Sequence, residues 1–170
     1  MRVSVSQQGQ SLTESLNQKL TATSKLAEKK YRDVVRYVFD INKVGFILPE
    51  DTVSELIERP KFTFIPKMPS LVEGLCNVRG TLVPVFNLHK YFNIEKEANH
   101  YLLVIGEGEN VVGVLLDELP YLLEEEHLQE LNNIPQLPRS LESYTSKAFY
   151  LGDKILIEYN HEDFYKSLSQ

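Results

Sequence analysis

The stretch YLLVIGEGENVVGVLLDEL, residues 101–119, constrains this chain more than any other. Two β-rich apolar runs flank GEGEN, whose glycines and asparagine supply turn geometry, so the stretch reads as a β-hairpin. A second hairpin is expected where AFYL and KILIEY flank Gly152-Asp153, a pair that favours positive φ. A third is expected where VVRYVFD and KVGFILP flank Ile41 and Asn42. A fourth joins LVEGLCNV to TLVPVFNL near Arg79 and Gly80. Strands this close together, with turn signals between them, indicate an all-β barrel arrangement. The strands do not alternate with helices, which excludes a Rossmann-type sheet.

The remaining segments are less regular. Residues 11–32 carry Leu12, Leu16 and Leu20 at a spacing of four, then Leu26, which predicts a helix with one apolar stripe. Ser11 or Thr13 is its candidate cap. So polar a helix must dock, either on its own domain or on a partner. This gives an N-terminal helical extension over 1–33 and a β domain over 34–170. Residues 50–58 are expected to form a short helix or turn with Val53, Leu56 and Ile57 facing inward. Pro60, Pro66 and Pro69 make 59–70 an extended crossing segment. Pro84 cannot donate a ladder hydrogen bond, so its strand should lie at an edge or be bulged there. The tail HEDFYKSLSQ is expected to make a short helix.

A chain of 170 residues suits one domain, which buries roughly 70% of its unfolded surface. Eighteen basic residues against 24 acidic ones, for a formal net charge of −6, argue against nucleic acid as a partner. No apolar run reaches the ~18 residues of a membrane span, and the N-terminus lacks a signal-peptide core, so the expected location is cytoplasmic. Cys76, the one cysteine, sits among apolar neighbours and reads as a buried structural thiol. His89, His100, His127 and His161 lack ligand spacing and read as surface or interface histidines, so neither metal nor cofactor is expected. Gly106-Glu107-Gly108 lacks a third glycine and reads as a turn. The competing reading is a small β-barrel enzyme using Asp117 or His127, with the Glu124–Glu126 run as further acids. Asp117 has the alternative of capping the turn after its strand.

The hairpin residues carry a family pattern. Gly74-Leu75-Cys76-Asn77-Val78-Arg79-Gly80, followed by Leu82-Val83-Pro84-Val85-Phe86-Asn87-Leu88, resembles the CheW-like domain. Val112 to Leu119 resembles that family's V-G-L-x-V-D-x-V strand. Tyr37-Val38-Phe39, Gly45 to Pro49 and Val53-Ser54-Glu55-Leu56 resemble its opening elements. The family usually has Asp where this chain has Asn87. Its closing strand usually carries a D-L pair, where this chain reads Ile157-Glu158-Tyr159-Asn160. The long segment before Arg36 is similar to that of the family's pilus-linked, twitching-motility branch.

The resemblance implies two five-stranded SH3-like barrels sharing an apolar core, and no enzymatic activity. It implies an adaptor, recruited to membrane-bound receptor arrays. Its partners would be the cytoplasmic tip of a methyl-accepting chemoreceptor and the regulatory domain of a CheA-type histidine kinase. By position, Arg79, Val53, Glu55 and Gly74 match the family's contact positions; Leu56, Asn77 and Gly80 are further interaction candidates beside them, Gly80 with the alternative of serving only as a turn residue at positive φ. Arg79 also stands out physically, because a hairpin tip beside Gly80 projects a guanidinium with five donors in a fixed fork. The alternative role is to pin its own loop through an internal salt bridge, and the two are compatible.

Overall fold

The computed structural model describes residues 36–50, 52–95, 100–124, 127–134 and 137–169. The helix expected at 11–32, the extension over 1–33, and Glu125 and Glu126 lie outside the described residues.

The strands are β1 (Tyr37–Ile41), β2 (Val44–Ile47), β3 (Ser54–Glu58), β4 (Phe62–Thr63), β5 (Val72–Val78) and β6 (Thr81–Phe86). They continue with β7 (Tyr101–Ile105), β8 (Val112–Leu116), β9 (Tyr121–Leu122), β10 (Gln129–Glu130), β11 (Thr145–Leu151) and β12 (Lys154–Tyr159). Among the described residues three α-helices are interspersed: α1 (Leu88–Tyr91), α2 (Arg139–Glu142) and α3 (His161–Leu168). Two six-stranded sheets result, in the orders β10-β11-β12-β2-β1-β9 and β3-β7-β8-β6-β5-β4. The count reaches six, where the family resemblance implies five, because the two-residue strands β4, β9 and β10 extend the sheet edges.

The four expected hairpins all form as antiparallel pairs. Each sheet also contains one parallel pairing, β12 with β2 and β6 with β8, which joins strands distant in sequence. Side-chain alternation then fills three apolar layers. In β7, Leu102 and Val104 point into a cluster inside the second sheet, with Cys76, Val83, Val85 and Leu115. Leu103 and Ile105 point the other way, into a larger cluster. In the first sheet, Val38, Ile47, Phe149 and Leu156 fill its own interior, while Phe39, Ile41, Phe46 and Ile157 face the larger cluster. That larger cluster is therefore common to both sheets. Its aromatic part is tightly interlocked: Phe39 stacks on Phe46 at 5.0 Å, and Phe46 meets Tyr159 edge-on at 5.2 Å. The amphipathic α3 adds Phe164, Tyr165 and Leu168 to this layer, and its N-terminus is capped by Asn160.

Two expectations change. Residues 54–58 form a strand rather than a helix or turn, because β3 pairs along its whole length with β7. It is an edge strand with alternating exposure, in which Leu56 faces solvent and Ile57 packs inward; Val53, just before the strand, is exposed as well. The strand carrying Pro84 is internal rather than at an edge. Proline is accommodated because the β6–β8 ladder covers only Val85 and Phe86, leaving residue 84 paired with β5 alone. The bulge of this pair lies in β5, between Val72 and Gly74.

Truncating a ring of the common layer should be far more costly than truncating an exposed leucine. Phe46→Ala is expected to destabilise the fold by about 3–5 kcal/mol, and Leu82→Ala by less than about 0.5 kcal/mol, both read by chemical denaturation.

Candidate functional site

The β5–β6 hairpin turns through Arg79 and Gly80 with φ of 49° and 90°. Two positive φ values in a two-residue loop match the twist of the flanking strands. Gly80 adopts its angle freely, whereas arginine is strained in the left-handed region by roughly 1–2 kcal/mol. Two contacts offset that strain. The Gly80 amide donates to Asn77 Oδ1 at 2.9 Å, and Arg79 Nη2 donates to Glu55 Oε1 at 2.8 Å. The ion pair links the hairpin tip to the edge strand β3. The Arg79 side chain is still 82% exposed, so its other donors face outward.

The elements that carry the pair also expose apolar side chains. Val53 and Leu56, which flank Glu55 in sequence, are 54% and 39% exposed. Leu82, opposite Asn77 in the β5–β6 register, is 63% exposed. Five of the seven sequence-selected residues, Glu55, Asn77, Arg79, Gly80 and Leu56, thus lie on or beside one ion-paired rim, and Val53 adjoins them. Gly74 is different. It is buried in β5, and a Cβ there would fall 2.2 Å from the Thr63 carbonyl oxygen of β4. Its absence of a side chain lets β4 close against β5.

A polar network forms at the other end of this hairpin, where β5 begins and β6 ends. Asn87, where the family usually has Asp, caps α1 by accepting from the His89 amide at 3.1 Å. Its Nδ2 donates to Glu73 Oε1 at 2.7 Å. Lys90 Nζ lies 2.7 Å from the same oxygen. Burial pushes the Glu73 carboxyl up, but the Lys90 ammonium and the Asn87 amide outweigh this and hold it below its ordinary value. An aspartate at 87 would face Glu73 with a second negative charge, so the departure from the family pattern is matched by its neighbour.

The histidine expectation is corrected at one position. His89 is buried, not superficial, and its Nε2 lies 2.8 Å from Asp117 Oδ2. Asp117 therefore joins the end of β8 to α1 rather than only closing a turn. No sequence spacing signals this pair, because its members are far apart in the chain. His127 is exposed between β9 and β10, and His100 is exposed before β7. Cys76 is buried, as expected, and burial pushes its thiol up. Among the described residues, no group of three or more His, Cys, Asp or Glu side chains is placed to hold a metal. No described helix is long and apolar enough to cross a membrane. The closing strand's departure also has a structural role: Glu158 receives Arg36 Nη1 at 2.5 Å, and Asn160 Oδ1 accepts the Asp163 amide at 3.1 Å.

Two small barrels sharing one apolar layer, with an ion-paired hairpin rim exposed at the surface, define a two-barrel β domain of the SH3-like kind. The profile of the CheW-like domain matches residues 37–164, and the chain belongs to that family. It is similar to the chemotaxis protein CheW of Thermotoga maritima, with 31% identity over 83 residues, 48% of this chain and 55% of that protein. It is similar to the protein PilI of Pseudomonas aeruginosa, with 29% identity over 77 residues, 44% of this chain and 43% of that protein. The chemotaxis protein CheW of Klebsiella aerogenes is 26% identical over 125 residues, 71% of this chain and 69% of that protein. The matched stretches thus span about half the length of the first two relatives. The crystal structure of the scaffolding protein CheW from Thermoanaerobacter tengcongensis superposes with a TM-score of 0.55 at 21% identity, covering 74% of this chain and 88% of that one. That likeness shows the fold alone.

Asn87→Asp should destabilise the domain by about 1–2 kcal/mol, and Glu73→Gln in the same chain should restore most of the loss. Because the Glu73 carboxyl is lowered in the fold, its contribution is present above about pH 4.3 and is lost as pH falls through the lower folded value. Glu73→Gln should flatten that part of an acid-denaturation profile measured by circular dichroism.

Proposed function

We propose that this protein is a non-enzymatic adaptor that couples a methyl-accepting chemoreceptor to a CheA-type histidine kinase. The observation that carries the reading is the exposed Glu55–Arg79 ion pair between β3 and the β5–β6 tip, on elements that also expose Val53, Leu56 and Leu82. An exposed ion pair contributes only about 0–1 kcal/mol to folding, enough to offset part of the Arg79 backbone strain and little more. On elements that also expose apolar side chains, it instead resembles the charged and apolar mixture of a protein interface. Arginine near the centre of such a surface can cost ~2 kcal/mol or more when truncated.

Within this reading Val53, Leu56 and Leu82 supply apolar contact, and Glu55 and Arg79 supply direction. Asn77, Gly80 and Gly74 hold the hairpin and its neighbouring strand in shape. Coupling then requires a second surface for the second partner. A receptor that prefers the assembly in one geometry biases the kinase by the difference in contact free energy between its states. The protein would act in the cytoplasm, at membrane-bound receptor arrays.

We assign it to the pilus-linked, twitching-motility branch, with residues 1–33 as a helical extension preceding the CheW-like domain. The likeness to PilI and the length before Arg36 support this. A role in flagellar chemotaxis is the second reading, favoured by the several relatives named CheW.

Titration of the purified protein with a CheA regulatory domain tests the proposal. Arg79→Ala should weaken binding about tenfold or more with the melting transition essentially retained. Unchanged affinity would remove Arg79 from the contact surface, and no binding by the unaltered protein would remove the adaptor reading. Capture of the pilus-linked kinase rather than the flagellar one from the source cell would separate the two branches.

A further inference from the structure

The segment between β3 and β5 has a chemistry unlike the rest of the chain. In a protein of net charge −6, residues 59–72 carry Arg59, Lys61 and Lys67 and no aspartate or glutamate. Phe64 lies in the middle of them and is 69% exposed, more than any other large apolar side chain among the described residues. Arg59, Lys61 and Lys67 are exposed as well. Glu58 Oε1 lies 3.8 Å from Arg59 Nε, but both side chains are mostly exposed and so loose a pair neutralises little.

The backbone holds this segment in one shape. Arg59 and Lys67 both sit at positive φ, 51° and 68°, on either side of Phe64. Non-glycine residues keep such angles only where the surroundings fix them. Pro60, Pro66 and Pro69 remove further freedom. Phe62 packs inward against the cluster of the second sheet, and β4 is hydrogen-bonded to β5. The missing Cβ of Gly74 admits the backbone of Thr63 and Phe64, which a side chain there would meet at 2.2 Å and 3.0 Å. An exposed aromatic ring flanked by cations is thus displayed on a rigid ridge rather than on a loose loop. Rigid display reduces the ordering cost of association.

We infer that this ridge, residues 59–67, is a docking surface for an acidic segment of a protein partner that also carries an apolar anchor to cover Phe64. Charge complementarity selects the partner: carboxylates match Arg59, Lys61 and Lys67, and an aliphatic or aromatic side chain matches the ring. An anionic bilayer presents like charge to the otherwise acidic protein, and three cations make a weak anchor on it. A protein segment can instead place its carboxylates locally on the ridge. The inference stands on residues 59–67 alone and holds whether or not the hairpin rim binds a kinase.

The test uses the full chain and a short fluorescein-labelled peptide with leucines at helical spacing and glutamates elsewhere, beside a copy with lysine for glutamate. Fluorescence anisotropy should report binding of the acidic peptide only, weakening markedly as salt rises from about 50 to about 300 mM. Phe64→Ala and Lys67→Glu should each weaken it about tenfold. Both sites are exposed, so the melting transition should be retained. Lys147→Glu, exposed on β11 of the other sheet, should bind like the unaltered protein. Absence of peptide binding, indifference to both ridge substitutions, or an equal loss in Lys147→Glu would overturn the proposal. So would co-sedimentation with phosphatidylglycerol vesicles without peptide binding, which would make the surface a membrane contact.

Discussion

The apolar layer between the two sheets is the constraint on which the rest of the structure depends. A small antiparallel sheet usually covers one face and leaves the other to water. Here β1, β2, β7, β8 and β12 send alternate residues into their own sheet's interior and into the layer shared with the other sheet. All five residues of β8 are buried, so neither face of that strand is available to solvent or ligand. Full burial of each such side chain contributes about 1.5–3 kcal/mol, and the total outweighs any surface ion pair in the molecule.

That layer also determines where function can reside. With the central strands largely enclosed, outward display falls mainly to edge strands, hairpin tips and the exposed stretches of strands such as β6 and β11. The ion pair from β3 to the β5–β6 tip and the Phe64 ridge beside β4 both occupy such positions. The Asn87, Glu73 and Lys90 cluster and the His89–Asp117 contact tie α1 to β5 and to the end of β8. A domain of this kind acts by holding groups apart at a set geometry, which is what the proposed adaptor role requires.

Much of this was legible in the sequence, and the exceptions have physical causes. The hairpins at Gly106–Asn110 and Gly152-Asp153 were readable because turn chemistry and β-rich runs agree locally. Arg79 was readable as a tip residue for the same reason. Its partner Glu55 was selected only through the family resemblance, because an ion pair across 24 positions leaves no local trace. Residues 54–58 were misread as helix or turn, since Val53, Leu56 and Ile57 fit a helical spacing as well as a strand. The hydrogen-bond ladder to β7, invisible locally, decides between them. His89 was read as superficial because a lone histidine carries no signal of burial, and its partner Asp117 arrives from another strand. Pro84 was assigned to an edge by a sound rule. The short reach of the parallel β6–β8 ladder supplies the exception.

The central claim is that one common layer makes the two sheets a single cooperative unit. Native-state hydrogen exchange tests this most directly, by comparing the slowest amides of β1, β2 and β12 with those of β7 and β8. The account predicts that both sets exchange through the same global opening, with equal free energies and equal sensitivity to denaturant. Slow amides of one sheet opening at a clearly lower free energy, while those of the other stay protected, would contradict it.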